Sequence, residues 1–139
     1  MIVKNKTRYR TPELRRLFQY AMLKCGIERS PRHIWLVKYA KPSKRVVTEY
    51  AKTFRIAGQA LLGRIYADGK FRVGNIVWMF MSPHGESNGI YVAQVAIHEL
   101  MHNLGLGHKD IEECIHMDVS DLPEDLKLLK ERPHKKEAG

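Results

Sequence analysis

The strongest constraint on this chain is the run His98-Glu99-Leu100-Met101-His102-Asn103-Leu104-Gly105-Leu106-Gly107-His108, which reads H-E-x-x-H-x-x-G-x-x-H. On a helix, His98 and His102 project from one face roughly 6 Å apart and can grip a single ion. Glu99 stands about 100° further round the turn, outside that ligand direction but within reach of a water on the metal. Gly105 follows one turn after His102, where a residue without Cβ can take positive φ, end the helix and bring His108 back toward the ion. Three neutral imidazoles suit zinc and leave the fourth tetrahedral position for water or substrate. Such an ion lowers the pKa of its water to about 7, and Glu99 is placed to take the proton and pass it to a leaving amine. Ala93, Ala96, Ile97, Leu100, Met101 and Leu104 recur at helical spacing from Ile90 to Leu104, which predicts a helix buried along one side, a rigid platform for a metal site.

The motif resembles that of the metzincin zinc endopeptidases, which follow it with a methionine-containing turn. Here Glu113-Cys114-Ile115-His116-Met117 comes next, and Met117 falls nine residues after His108, where it looks like the Met-turn beneath the zinc. The resemblance implies a metzincin-like zincin fold of α/β (α+β) class. Its parts would be a twisted mixed sheet of roughly four to five strands, an N-terminal helix, the zinc-binding helix and a C-terminal helix. It also implies one catalytic zinc ion on His98, His102 and His108, Glu99 as general acid/base, and Gly105 and Met117 as structural supports. The implied substrate is a protein or peptide bound in extended form along the upper edge strand of the sheet. The hairpin from Leu61 to Val73 is the candidate edge, and Val95 with Asp118 to Ser120 the candidate pocket lining.

The segment from Asp118 to Lys130 looks like the closing helix, with Asp121 as cap, Pro123 in the first turn, Glu124 completing a capping box, and Leu126 and Leu129 facing inward. Three departures from the family matter. Val119 stands where some members carry a tyrosine ligand. Cys114 resembles the Cys-x-Met turn of members such as the archaemetzincins at a spacing one residue longer, and their second, four-cysteine zinc site cannot be built from Cys25 and Cys114 alone. Lys24-Cys25-Gly26-Ile27 has a faint similarity to the Cys-Gly latency segment of some relatives, but Cys25 and Gly26 more simply end the first helix, with Gly26 as its αL cap.

The main competitor is a metal-dependent endoribonuclease. Bacterial rRNA-maturation proteins of similar size and basic character carry H-G-x-x-H-x-x-G-x-D-H, with Gly at the position of Glu99 and Asp at the position of Gly107. A nuclease needs the metal but not a carboxylate at that point, whereas peptide hydrolysis needs the base, so Glu99 favours the peptidase. A non-catalytic module that keeps zinc for stability is a third reading, opposed by Glu99 and by the open fourth position.

The 139 residues suffice for one core and not for two, so one catalytic domain over 1–139 is expected, with 132–139 as a flexible basic tail. Net charge is +9, and Lys and Arg crowd residues 4–16, 38–55 and 127–136. A solvated basic surface is the simplest account, with attraction to acidic proteins, nucleic acid or an anionic membrane as alternatives. The aromatic residues are not interleaved with the charges as a nucleic-acid stacking platform requires. No apolar run approaches the ~20 residues that span a bilayer, and the first residues lack the features of a secretory signal. With two cysteines in no spacing motif, the expectation is a cytoplasmic protein with free thiols and no membrane partner, secretion as a processed form being the alternative.

Elsewhere, Thr11 and Pro12 open a helix with Leu14, Leu17, Phe18, Ala21, Met22 and Cys25 on one face. His33 to Tyr39 reads as a strand with His33 at the surface, and Val46 to Ile56 fits a strand or a helix. Leu61 to Ala67 and Phe71 to Val73 flank Asp68-Gly69, a hairpin signal, and Asn75 to Met81 reads as a deeply buried strand. Ser82 to Gly89 reads as a loop in which His84 and Glu86 serve turn chemistry, and His116 reads as structural or exposed. The expected order is helix, sheet, helix, helix.

Overall fold

A computed structural model describes residues 1–27, 31–40, 57–60, 62–107, 109 and 118–133. In chain order its elements are β1 (Ile2–Asn5), α1 (Thr11–Lys24), β2 (Ile34–Tyr39), β3 (Ala57–Ala60), β4 (Arg64–Ile65), β5 (Phe71–Arg72), β6 (Ile76–Met81), β7 (Glu86–Asn88) and α2 (Gly89–Asn103). A 3-10 turn at Glu124–Leu126 and β8 (Leu128–Lys130) complete them. Among the described residues this is a mixed α/β arrangement of two long helices and a small sheet. The main sheet has the order β1-β2-β6-β3, with β1, β2 and β6 parallel and β3 antiparallel at the edge. Two strand pairs, β4 with β5 and β7 with β8, stand apart from it.

Alternation along β2 and β6 decides which face meets the helices. Trp35 and Val37 lie opposite Val77 and Met79, and all four are fully buried, with Met81, in the cluster that includes the apolar sides of α1 and α2. Leu14, Leu17, Phe18, Ala21 and Met22 supply the α1 side, and the Phe18 ring stacks on Trp35 at 4.1 Å. Burying a side chain of this size is worth about 1.5–3 kcal/mol, so this face fixes where both helices rest. Each helix ends in the same way. Gly26 and Gly105 have φ of 75° and 90°, Ile27 N–H bonds the Met22 carbonyl at 2.8 Å, and Leu106 N–H bonds the Met101 carbonyl at 3.1 Å. These are Schellman closures, which only a residue without Cβ adopts freely.

Four expectations need correction. The predicted helix from Asp118 to Lys130 is instead the 3-10 turn followed by β8, which pairs antiparallel with β7. Leu122, Leu126 and Leu129 do point inward, but Pro123 is extended before the turn, the Lys127 carbonyl accepts from Gly89 N–H, and β8 bonds across to β7. Asp121 is no cap; it accepts from the Tyr20 hydroxyl and pairs with Lys24 at 2.9 Å. The Asp68-Gly69 hairpin forms, with Gly69 at φ 78°, but its short strands make a separate sheet, and β3 is the outermost described strand beside β6. His33 is 2% exposed, because it lies in phase with Trp35 and Val37 on the inward face. The chain also opens with a strand, β1, before its first helix.

The loop reading of residues 82–89 holds in part. Glu86 lies in β7, and Asn88 caps α2 by accepting from Ile90 N–H at 3.0 Å and Tyr91 N–H at 3.3 Å. Val46 to Ile56, Leu61, His108, Glu113 to Met117 with Cys114 and His116, and residues 134–139 of the predicted tail lie outside the described residues. Arg132, where that tail was expected to begin, donates its N–H to the Arg8 carbonyl at 2.8 Å. Among the described residues, no helix is long and apolar enough to cross a membrane.

Candidate metal centre

The last turns of α2 carry the histidine motif because the opposite side of that helix is apolar. Val92, Ala93, Ala96, Ile97, Leu100 and Met101 are buried against the core, which leaves His98 and His102 half-buried at the boundary. Their Nε2 atoms face each other at 3.2 Å, with the rings nearly perpendicular and their centroids 4.9 Å apart. The Nδ1 of His102 lies 2.9 Å from the Leu106 carbonyl oxygen. A carbonyl only accepts, so that nitrogen carries the proton and the Nε2 lone pair of the neutral ring is left facing His98.

This arrangement fits zinc. Two nitrogens bound at about 2.0–2.1 Å with a tetrahedral angle lie about 3.3 Å apart, close to the observed separation. The same separation also admits a hydrogen bond between the two ring nitrogens. The Schellman closure at Gly105 is what turns Leu106 back over the ring of His102. Helix end and His102 tautomer are therefore one structural feature.

Glu99 follows His98 on the helix and is only 6% exposed, unusual for a glutamate. His98 and His102 are the two predicted ligands that the structure brings together. His108, the third, and Met117, the predicted support, lie outside the described residues. Among the described residues, no group of three or more His, Cys, Asp or Glu side chains converges as a metal set. Of the predicted pocket lining, Val95 is half-buried on α2, and exposed Asp118 accepts from Ser120 N–H at 2.8 Å, a bond that holds its carboxyl below the usual range. Cys25 packs toward α2, with its Sγ 3.9 Å from the Ile97 carbonyl, and burial pushes its thiol up to about 11, which leaves it a poor nucleophile and metal ligand at neutral pH.

Sequence reasoning missed two residues beneath this site, Asn103 and His33. Asn103 is the fully buried last residue of α2, and its Oδ1 lies 3.0 Å from His33 Nε2. The period-two alternation through His33, Trp35 and Val37 carried the signal for the histidine. For Asn103 the signal was a polar residue on the apolar side of the motif helix. No protein-family model, curated protein or solved structure matches the chain.

Proposed function

We propose that the protein is a zinc-dependent endopeptidase of metzincin type, a single catalytic domain in which His98, His102 and His108 hold one zinc ion and Glu99 is the general acid/base. The observation that carries this reading is the pair of Nε2 atoms 3.2 Å apart on α2, with the His102 tautomer set by the Leu106 carbonyl. The mixed sheet, with an antiparallel strand at one edge and α2 packed against it, is consistent with the finer fold. Zinc, when bound, would supply the Lewis acidity that acidifies water and polarises a substrate carbonyl.

Glu99 takes a proton from the attacking water as its oxygen adds to the peptide carbonyl carbon. It then delivers that proton to the departing nitrogen as the C–N bond breaks, so a neutral amine leaves. Its burial keeps bulk water from competing for the proton. The substrate is a protein or peptide in extended form, recognised through its main chain along a sheet edge with side pockets adding selectivity. The test is cleavage of an unfolded protein by zinc-loaded wild type and by Glu99→Ala, with zinc content measured in both. We expect Glu99→Ala to keep its zinc and lose about 10²-fold or more in turnover. Equal cleavage by both removes Glu99 from the chemistry. Cleavage of RNA and not of protein by fully loaded wild type moves the reaction to the endoribonuclease class.

A further inference from the structure

We propose that Asn103 and His33 are positioning residues for the His98–His102 pair, anchoring the last turn of α2 to the start of the sheet so that the two imidazoles keep their facing geometry. This rests on the metal reading above.

Apolar packing is non-directional, so the Leu, Ala and Met face of α2 fixes its depth more firmly than its rotation. Rotation is what a metal pair cannot tolerate, because ligand distances must hold to about 0.2 Å. The directional contacts at this end of the helix gather on two consecutive residues. Asn103 Oδ1 lies 3.0 Å from His33 Nε2, just before β2. Asn103 Nδ2 donates to the Ile76 carbonyl at 3.3 Å, at the start of β6. The Asn103 backbone carbonyl accepts from Gly74 N–H at 2.8 Å, and the His102 carbonyl accepts from Gly63 N–H at 3.0 Å and Gly105 N–H at 2.9 Å. Both flanks of the 64–72 hairpin, the residue before β2 and the first residue of β6 are thus tied to His102 and its neighbour.

The proton order in this network is determined. The Ile76 carbonyl only accepts, so the Asn103 amide nitrogen faces it and the amide oxygen faces His33, whose Nε2 must then donate. The Gly63 contact has no slack, since a Cβ on that residue would lie 2.2 Å from the Asn103 carbonyl oxygen. Buried groups this fully engaged specify one arrangement, and losing one partner leaves the others unsatisfied.

The test uses the full chain, with zinc affinity read by competition against a chelator and folding read by circular dichroism. His33→Leu and Asn103→Leu are expected to fold and to bind zinc at least about 10-fold more weakly per folded chain. His33→Gln, whose side-chain amide can still donate to Asn103, is expected to restore most of that affinity, which a purely space-filling role would not predict. If a leucine variant fails to fold, Asn103→Ser, too short to reach His33 or Ile76, carries the same expectation. Wild-type affinity in a folded His33→Leu or Asn103→Ser protein overturns the proposal. Wild-type affinity in His98→Ala would instead remove the metal reading, and this inference with it.

Discussion

Two polar networks flank α2, one at its C-terminal end and one at the far end of the β7–β8 pair that leads into its N-terminus, and they are built from opposite chemistry. At the C-terminal end the partners are neutral: His33, Asn103 and backbone carbonyls. On the N-terminal side, beyond the β7–β8 pair, the centre is a carboxylate, Glu131, whose side chain is 2% exposed. It accepts from Arg8 Nε at 3.0 Å and Nη2 at 2.6 Å, from the Tyr39 hydroxyl at 2.9 Å and from Gly85 N–H at 3.0 Å. Beside it the Tyr9 hydroxyl donates to the Ser82 carbonyl at 2.7 Å, and burial pushes that phenol up to about 12. The charged network ties together two chain segments 123 residues apart, a tethering task. The neutral one adjoins the His98–His102 pair, and in the proposed metal site, where both imidazoles would need their lone pairs for a cation, a fixed ion pair would perturb their protonation. On the proposed reading, the difference matches a stabilising task on one side and a ligand-positioning task on the other.

The sharpest way to break that division uses two glycines, one at each end. A Cβ on Gly89 would lie 1.7 Å from the Leu126 carbonyl oxygen, and one on Gly63 would lie 2.2 Å from that of Asn103. Gly89→Ala is expected to cost about 3 kcal/mol in thermal or urea unfolding while zinc affinity per folded chain stays at the wild-type value. Gly63→Ala, costing about 2 kcal/mol, should weaken zinc as well, since the displaced backbone is that of Asn103. Loss of affinity in the first variant, or none in the second, would dissolve the distinction.

A smaller effect separates the two ends by pH in metal-free protein held in excess chelator. Burial and the N-terminal ammonium push His33 below its ordinary 6.5, against the opposing bond to Asn103. The stability it contributes is therefore complete above pH 6.5 and declines as pH falls toward the depressed value. Burial raises the Glu131 carboxyl, but the bonds from Arg8, Tyr39 and Gly85 together hold it below 4.5, so its contribution is complete above pH 4.5 and is lost as pH falls through the lower value. Each slope is at most about 1.4 kcal/mol per pH unit. His33→Gln should flatten only the upper window and Glu131→Gln only the lower; a shared change in both variants would mean that the networks are coupled.

Features set by local sequence were legible in advance. The α2 helix, its end at Gly105, the first helix with its Gly26 cap, and the Asp68-Gly69 turn all follow from side-chain period and from glycine at positive φ. What escaped depends on partners distant in the chain. Leu122, Leu126 and Leu129 have ideal helical spacing, yet pairing with β7 overrides it. β1 is four residues with Lys4 and Asn5 among them and becomes a strand only beside β2. His33 taken alone reads as a surface residue, and only its phase with Trp35 places it inside. Asn103 was passed over because it occupies an unspecified position of the motif, where the ligand spacing says nothing about what lies underneath.

The most direct test of the central claim is the zinc stoichiometry of the purified chain by equilibrium dialysis, comparing wild type with Glu99→Ala, His98→Ala, His102→Ala and His108→Ala. The account predicts one ion per chain in the wild type and in Glu99→Ala, and loss of that ion in each histidine variant. Equal zinc in His102→Ala and wild type, or none in a folded wild type at millimolar zinc, would contradict it.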